Sequence, residues 1–202
     1  MSSVQPVPPD ERIVTAAKSL ILAHGYAVTS MDQIAHLAKV SKTTLYKYYR
    51  SKAELFAALV LGRTEVSRME FKPEDLAGLE IDAALFEIGR RFVDLICSPD
   101  SLRVELVYHS EGMRFPEVAE AFRHAGPELV VTLVESYFRA ANQRGLIAVP
   151  DPHFAAIQFL IALKGDPYGI ASLRSIGPSK ESQATYIRKV IELYLNGARP
   201  RG

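Results

Sequence analysis

One cysteine and no tryptophan stand in 202 residues. A lone Cys97 cannot form an internal disulfide and suits a reducing compartment. Set in FVDLIC on an apolar helix face, it reads as a small buried hydrophobe rather than a redox sensor. No apolar run is long enough to cross a bilayer, so no membrane partner is expected. The opening MSSVQPVPPD lacks the basic, apolar and small-residue succession of a secretory signal, and its prolines predict a loose arm over residues 1–9. Strand-like alternation, internal repeats and low-complexity tracts are also missing, which leaves helices as the only regular structure on offer.

Catalytic chemistry is equally thin. The five histidines, His24, His36, His109, His124 and His153, make no His-x-x-x-His or Glu-x-x-His pair with metal spacing. The segment LKGDPYG lacks the glycine pattern of a phosphate loop. No metal, no cofactor and no catalytic residue is therefore expected. Spacing alone does not decide a Ser-His-Asp site, so a hydrolase stays as a remote rival.

Acid is the most informative absence. From Gln33 to Ala53 there is no Asp or Glu, against five basic residues, Lys39, Lys42, Lys47, Arg50 and Lys52. The whole chain carries a formal charge of only +1, but residues 1–60 hold seven Lys or Arg against four Asp or Glu. The remainder is net acidic, with 17 against 19. Basic charge gathers where phosphates would be met.

The stretch TSMDQIAHLAKVSKTTLYKYYRSK, residues 29–52, organises this charge. Ser30 and Gln33 form a Ser-x-x-Gln capping pattern that opens a short helix at Met31, with Met31, Ile34, Ala35 and Ala38 on its buried face. Val40 falls in a tight turn. Ser41 caps a second short helix over about residues 42–49, in which Leu45 and Tyr49 face inward. Lys42, Thr43, Thr44, Tyr46, Lys47 and Tyr48 then face outward. Ser51 with Glu54 is another capping box and restarts the chain as a long helix. Two helices joined by a turn, the second presenting lysines, hydroxyls and tyrosines, match what a DNA major groove requires.

Residues of about 10–58 resemble the N-terminal domain of the tetracycline-repressor (TetR) family of bacterial transcription regulators. The likeness runs through LILAHGYAVTSMDQIA, LAKVSKTTLYKYYRSK and AELF, with caps, glycine and aromatics in register. It implies a homodimer that binds a palindromic operator in double-stranded DNA and lets go when a small molecule enters its C-terminal domain. Carried over by position, Lys42, Thr43 and Thr44 meet base edges or nearby phosphates, and Tyr46 meets a base edge or a thymine methyl. Tyr48 and Lys52 hold phosphates, Lys47 does either, and Thr29 or Ser30 contacts a phosphate near the second helix start.

The rest of the chain reads as helices separated by Gly and Pro. A first helix, about residues 10–24, ends at Gly25 in the left-handed region and braces the next two. The fourth helix, about residues 52–68, is the natural lever between domains. Further helices are expected near 79–97, 100–111, 116–125, 127–144, 152–173 (interrupted at 165–167) and 179–196. The fold class is all-α, about nine helices. A three-helix helix-turn-helix DNA-binding domain (residues 10–52, with the connecting helix starting at 52) precedes a ligand-binding and dimerisation bundle (69–202).

The late helices carry more apolar surface than a small domain needs. Phe154, Ile157, Leu160 and Ile161 on one, with Tyr186, Ile187, Val190 and Tyr194 on the other, are the candidate dimer surface. Candidates for a ligand cavity are Phe86, Phe92, Tyr108, His109, Met113, Phe122, Tyr137 and Phe159; the ligand itself has no signature in the sequence. The expected function is a cytoplasmic, nucleoid-associated, ligand-released repressor. Its rivals are a ligand-independent regulator or activator and a protein-interaction module on the same fold.

Overall fold

The computed structural model describes residues 7–61, 69, 71, 73–76, 78–174 and 178–198, and the regular structure among them is all helical, as expected. The chain divides into two compact units, Met1–Gly62 with Arg103–Gly126, and Arg63–Leu102 with Pro127–Gly202.

In the first unit, α1 (Pro9–His24) starts on a proline whose missing N–H is harmless there, and Asp10 and Glu11 favour the positive end of its dipole. Its buried stripe is Ile13, Ala16, Ala17 and Ile21. The helix stops at Gly25, whose N–H bonds the Ile21 carbonyl at 2.9 Å. Gly25 is not in the left-handed helical region expected for it. It sits at φ 95°, ψ 162°, an extended conformation with positive φ that is essentially restricted to glycine.

Next come α2 (Met31–Leu37), α3 (Lys42–Tyr48) and α4 (Lys52–Leu61). The expected continuation of α4 over residues 62–68 lies outside the described residues. The end of α6 (Pro99–Glu111) and all of α7 (Pro116–Ala125) complete this unit. Val104, Val107 and Val118 share one core with Ile13, Ile34, Leu45, Leu55 and Phe56. Residues 103–126, expected in the C-terminal bundle, thus pack with the helix-turn-helix.

The second unit is built on α5 (Ile81–Ile96), α8 (Pro127–Gln143), α9 (Pro152–Arg174) and α10 (Lys180–Ala198). Its core joins Leu85, Ile88 and Val93 of α5, Val134, Tyr137 and Phe138 of α8, Phe159 and Leu163 of α9, and Ile187, Ile191 and Leu195 of α10. The anticipated interruption of α9 is a kink at Gly165 (φ −33°, ψ −107°), two residues before Pro167. Pro167 has no N–H to continue the ladder. The Tyr186 hydroxyl donates to the Ala162 carbonyl at 2.8 Å, and Asp166 N–H donates to that hydroxyl at 3.5 Å. A side chain at 165 would run into the Tyr186 oxygen, so the bend needs glycine.

Candidate nucleic-acid interface

The helix-turn-helix is assembled by local hydrogen bonds legible in its residues. Ser30 Oγ accepts from Gln33 N–H at 3.2 Å, and Gln33 Oε1 accepts from Ser30 N–H at 2.8 Å, closing the capping box. Ser41 Oγ accepts from Thr44 N–H at 3.0 Å and lies 2.8 Å from the Thr44 hydroxyl. At the third cap, Ser51 Oγ accepts from Glu54 N–H at 3.1 Å, but the Glu54 carboxylate reaches back one residue further, to Arg50 N–H at 2.5 Å.

The turn between α2 and α3 departs from what the residue types suggest. Lys39 takes φ 54°, a left-handed conformation that glycine or asparagine would adopt more readily. Val40 N–H bonds the Ala35 carbonyl at 3.0 Å and Lys39 N–H bonds that of His36 at 3.1 Å, the paired bonds of a Schellman ending. This turn sets the angle between α2 and α3, and Lys39 itself is exposed.

Leu45 is fully buried and pins α3 to the core. Around it, Lys42, Thr43, Tyr46, Lys47 and Tyr48 are exposed and Thr44 is half-buried. The exposed face therefore carries ammonium groups, a free hydroxyl and two phenols. Lys42 also bonds Asp32 of α2 at 2.6 Å, and this partner holds its ammonium above the ordinary pKa. Both groups are largely exposed, so the pair is screened and easily shared with a phosphate.

Two residues of the expected DNA set sit elsewhere. Thr29 is 3% exposed, and its hydroxyl donates to the Gly25 carbonyl at 2.8 Å. Lys52 turns inward: its ammonium donates to the carbonyls of Tyr26 at 2.5 Å and Thr29 at 2.7 Å and lies 4.2 Å from the Tyr26 ring centroid. Desolvation lowers its pKa, opposed by the charges of Glu111 and Glu117. Thr29 and Lys52 therefore build the α1–α2 turn instead of facing a phosphate. Ser30 remains exposed beside them.

A residue that sequence reading missed completes this turn. Glu111, the last residue of α6, accepts Tyr26 N–H on Oε1 at 2.6 Å and Ala27 N–H on Oε2 at 2.8 Å. A Cβ on Gly25 would stand 2.7 Å from Glu111 Oε1, so the absence of a side chain lets the carboxylate in. The Tyr26 ring packs edge-on against Phe56 of α4 at 5.9 Å and Phe115 at 5.5 Å. No local pattern announces Glu111; the only sequence hint is glycine at 25.

The ligand candidates divide between the units. Tyr108, His109, Met113 and Phe122 belong to the first, where Tyr108 stacks on Phe122 at 4.4 Å and Met113 is 99% exposed. Phe92, Tyr137 and Phe159 are buried in the second unit's core. Phe86 lines an open groove of 640 Å³ between α5 and α10 with Leu79, Ala83, Ile191 and Leu195, and Arg188 lies 4.9 Å over its ring.

Of the dimer candidates, Phe154 and Ile161 are 60% and 59% exposed. Ile157, Tyr186, Val190 and Tyr194 are half-buried. Ile187 and Leu160 are core residues instead. Ile187 is 1% exposed because α10 meets α5 at Gly89, which leaves room for its side chain.

Comparison with known proteins bears on both parts of the chain. Residues 13–59 match the family described as bacterial regulatory proteins, tetR family. Residues 83–197 match the AefR-like transcriptional repressor, C-terminal domain. The HTH-type transcriptional regulator UidR of Escherichia coli (strain K12) is 28% identical over 155 residues, 76% of each chain. The solved structure of the flavonoid-responsive regulator FrrA is 30% identical, covers 96% of this chain and 98% of its own, and superposes with a TM-score of 0.80. A TetR family regulator from Pseudomonas syringae pv. tomato str. DC3000 shares the fold at 23% identity over the full length of both chains, with a TM-score of 0.72.

Proposed function

The chain belongs to the TetR family of DNA-binding transcriptional regulators, which are not enzymes, and from that premise we propose that it is a homodimeric repressor released from a palindromic operator by a small molecule. The observation that carries the reading is α3: pinned by Leu45, it offers Lys42, Thr43, Tyr46, Lys47 and Tyr48 outward in a stretch without acid. Lysines neutralise phosphates and hydroxyls and phenols meet base edges, with Ser30 adding a phosphate contact at the start of α2. Such work belongs at the nucleoid of a bacterial cytoplasm.

One α3 reads only a short half-site, so affinity requires a second copy with its recognition helix about 34 Å away. The exposed pair Phe154 and Ile161 on α9, flanked by half-buried Ile157, supports a dimer face there. Half-buried Tyr186, Val190 and Tyr194 on α10 extend the candidate surface. A ligand that prefers the arrangement with mis-spaced recognition helices shifts the population away from the operator. About 5.5 kcal/mol of differential affinity suffices to swing the equilibrium almost completely. FrrA is flavonoid-responsive by description and 30% identical, which supports an uncharged aromatic compound as the class to test first.

The test is a mobility shift of the DNA upstream of the protein's own reading frame, with and without a flavonoid, beside light scattering. A dimer mass, a sequence-specific shift and its reversal by the compound are expected. A monomer, or binding that a scrambled duplex competes equally well, contradicts the proposal.

A further inference from the structure

Two buried side-chain polar atoms lack a hydrogen-bond partner among the described residues, Arg12 Nε and the Tyr137 hydroxyl. The Arg12 guanidinium still reaches the Lys39 carbonyl through Nη1. Tyr137 has no such outlet: it is 1% exposed and lies in the core of the second unit. Its ring meets Phe71 edge-on at 6.5 Å and Phe138 at 6.3 Å, and Phe138 in turn meets Phe159 at 5.8 Å. Tyr194, packed against the same core, shows the usual solution, donating its hydroxyl to the Ala155 carbonyl at 3.1 Å.

An unpartnered buried hydroxyl is unfavourable, and phenylalanine would fill the same space without it. The packing among the described residues gives that hydroxyl no partner to serve. A buried water is a poor answer, because water needs several polar partners and this core cluster consists of side chains such as Phe71, Val134, Phe138 and Ala141. A phenol is protonated at neutral pH and can donate, and burial, partly offset by the charge of Arg144, moves its pKa further up. The side chains of the cluster are apolar, so an ionic ligand would be costly to bury among them, and the charge of Arg144 reaches the phenol without outweighing its burial.

We propose that the Tyr137 hydroxyl is the hydrogen-bond donor by which the second unit recognises its ligand, an uncharged, mainly apolar aromatic molecule carrying a carbonyl or hydroxyl oxygen. The proposal rests on the ligand-release reading above and adds to it a residue, an atom and a ligand chemistry. The rings of Phe71 and Phe138 beside Tyr137 would supply contact area, and the single donor would select for an oxygen acceptor.

Flavone, which carries a carbonyl, and flavan, which lacks it, make the matched probes. Binding to the full-length protein is followed by calorimetry and melting, for wild type and Tyr137→Phe. Wild type should bind flavone about tenfold more tightly than flavan, and Tyr137→Phe should bind the two alike. Ligand-free Tyr137→Phe should melt no lower than wild type. A lower melting point without ligand would show that the fold itself uses the hydroxyl, and a retained preference for flavone would show that another group reads the carbonyl. Either overturns the proposal while leaving ligand release standing. Wild type binding neither probe also overturns the proposal, while release of DNA by another compound would keep ligand release standing.

Discussion

Lys52 and Glu111 grip the same turn from opposite charges: the ammonium takes the carbonyls of Tyr26 and Thr29, and the carboxylate takes the N–H groups of Tyr26 and Ala27. The turn between α1 and α2 is thereby held by α4 and by the end of α6. It leads directly into the Ser30 cap, so the placement of α2, and through it α3, depends on side chains 26 and 85 residues away from Tyr26 in sequence.

The clasp makes Glu111 a positioning residue for the turn between α1 and α2. Glu111→Gln keeps an acceptor and should lower stability by about 1 kcal/mol, whereas Glu111→Ala, leaving two amides unpaired, should lower it by about 3 kcal/mol. Urea unfolding measures both. Amide exchange at Tyr26 and Ala27 should quicken in both variants; unchanged exchange there would mean the carboxylate does not hold the turn.

Lys47 and Lys52 should separate cleanly. Lys47→Ala removes an exposed ammonium on α3 and should flatten the salt dependence of operator binding by about one unit of log–log slope, with the melting temperature unchanged. Lys52→Ala should leave that slope near the wild-type value and lower the melting temperature, since its ammonium serves two backbone carbonyls. Reversed behaviour would return Lys52 to the phosphates.

Lys39 holds a left-handed conformation in the turn between α2 and α3. Lys39→Gly should therefore raise stability by about 1 kcal/mol, as relief of the side-chain clash outweighs the greater freedom of the unfolded chain. A destabilised Lys39→Gly would show that the lysine's charge or packing matters more than its backbone.

Tyr26 and Tyr194 give an alkaline signature. Burial, joined at Tyr26 by the charges of Glu117 and Glu111, pushes each phenol from 10.0 to about 12. The folded protein thus holds these protons more tightly than the unfolded chain. Their stabilising effect is whole below pH 10.0 and is lost as pH rises through about 12. The urea midpoint should fall across that window, and fall less in Tyr26→Phe; a flat midpoint would contradict the burial.

What could be read from sequence was local. The caps at Ser30 and Ser41 need only partners three residues away, and the prolines at 9, 116, 127 and 152 start helices by their own chemistry. Leu45 was recognisable from its spacing with Tyr49. The rest depended on distant neighbours. Apolar spacing on α10 could not tell that Ile187 faces α5, just as a basic residue at 52 gave no sign that its ammonium turns toward Tyr26. Lys39 hid its left-handed turn because lysine is not the residue that usually marks one. Whether the Tyr137 hydroxyl finds a partner is decided entirely by packing between helices.

The central claim is that α3 reads duplex DNA through its exposed face. Its most direct test selects duplexes from a random pool on the wild-type protein, then compares the affinities of wild type and Tyr46→Ala for the selected site, with molecular mass measured in parallel. Tyr46→Ala should bind about tenfold to a hundredfold more weakly at unchanged mass. Binding equal to wild type, or a pool from which no sequence emerges, would contradict it.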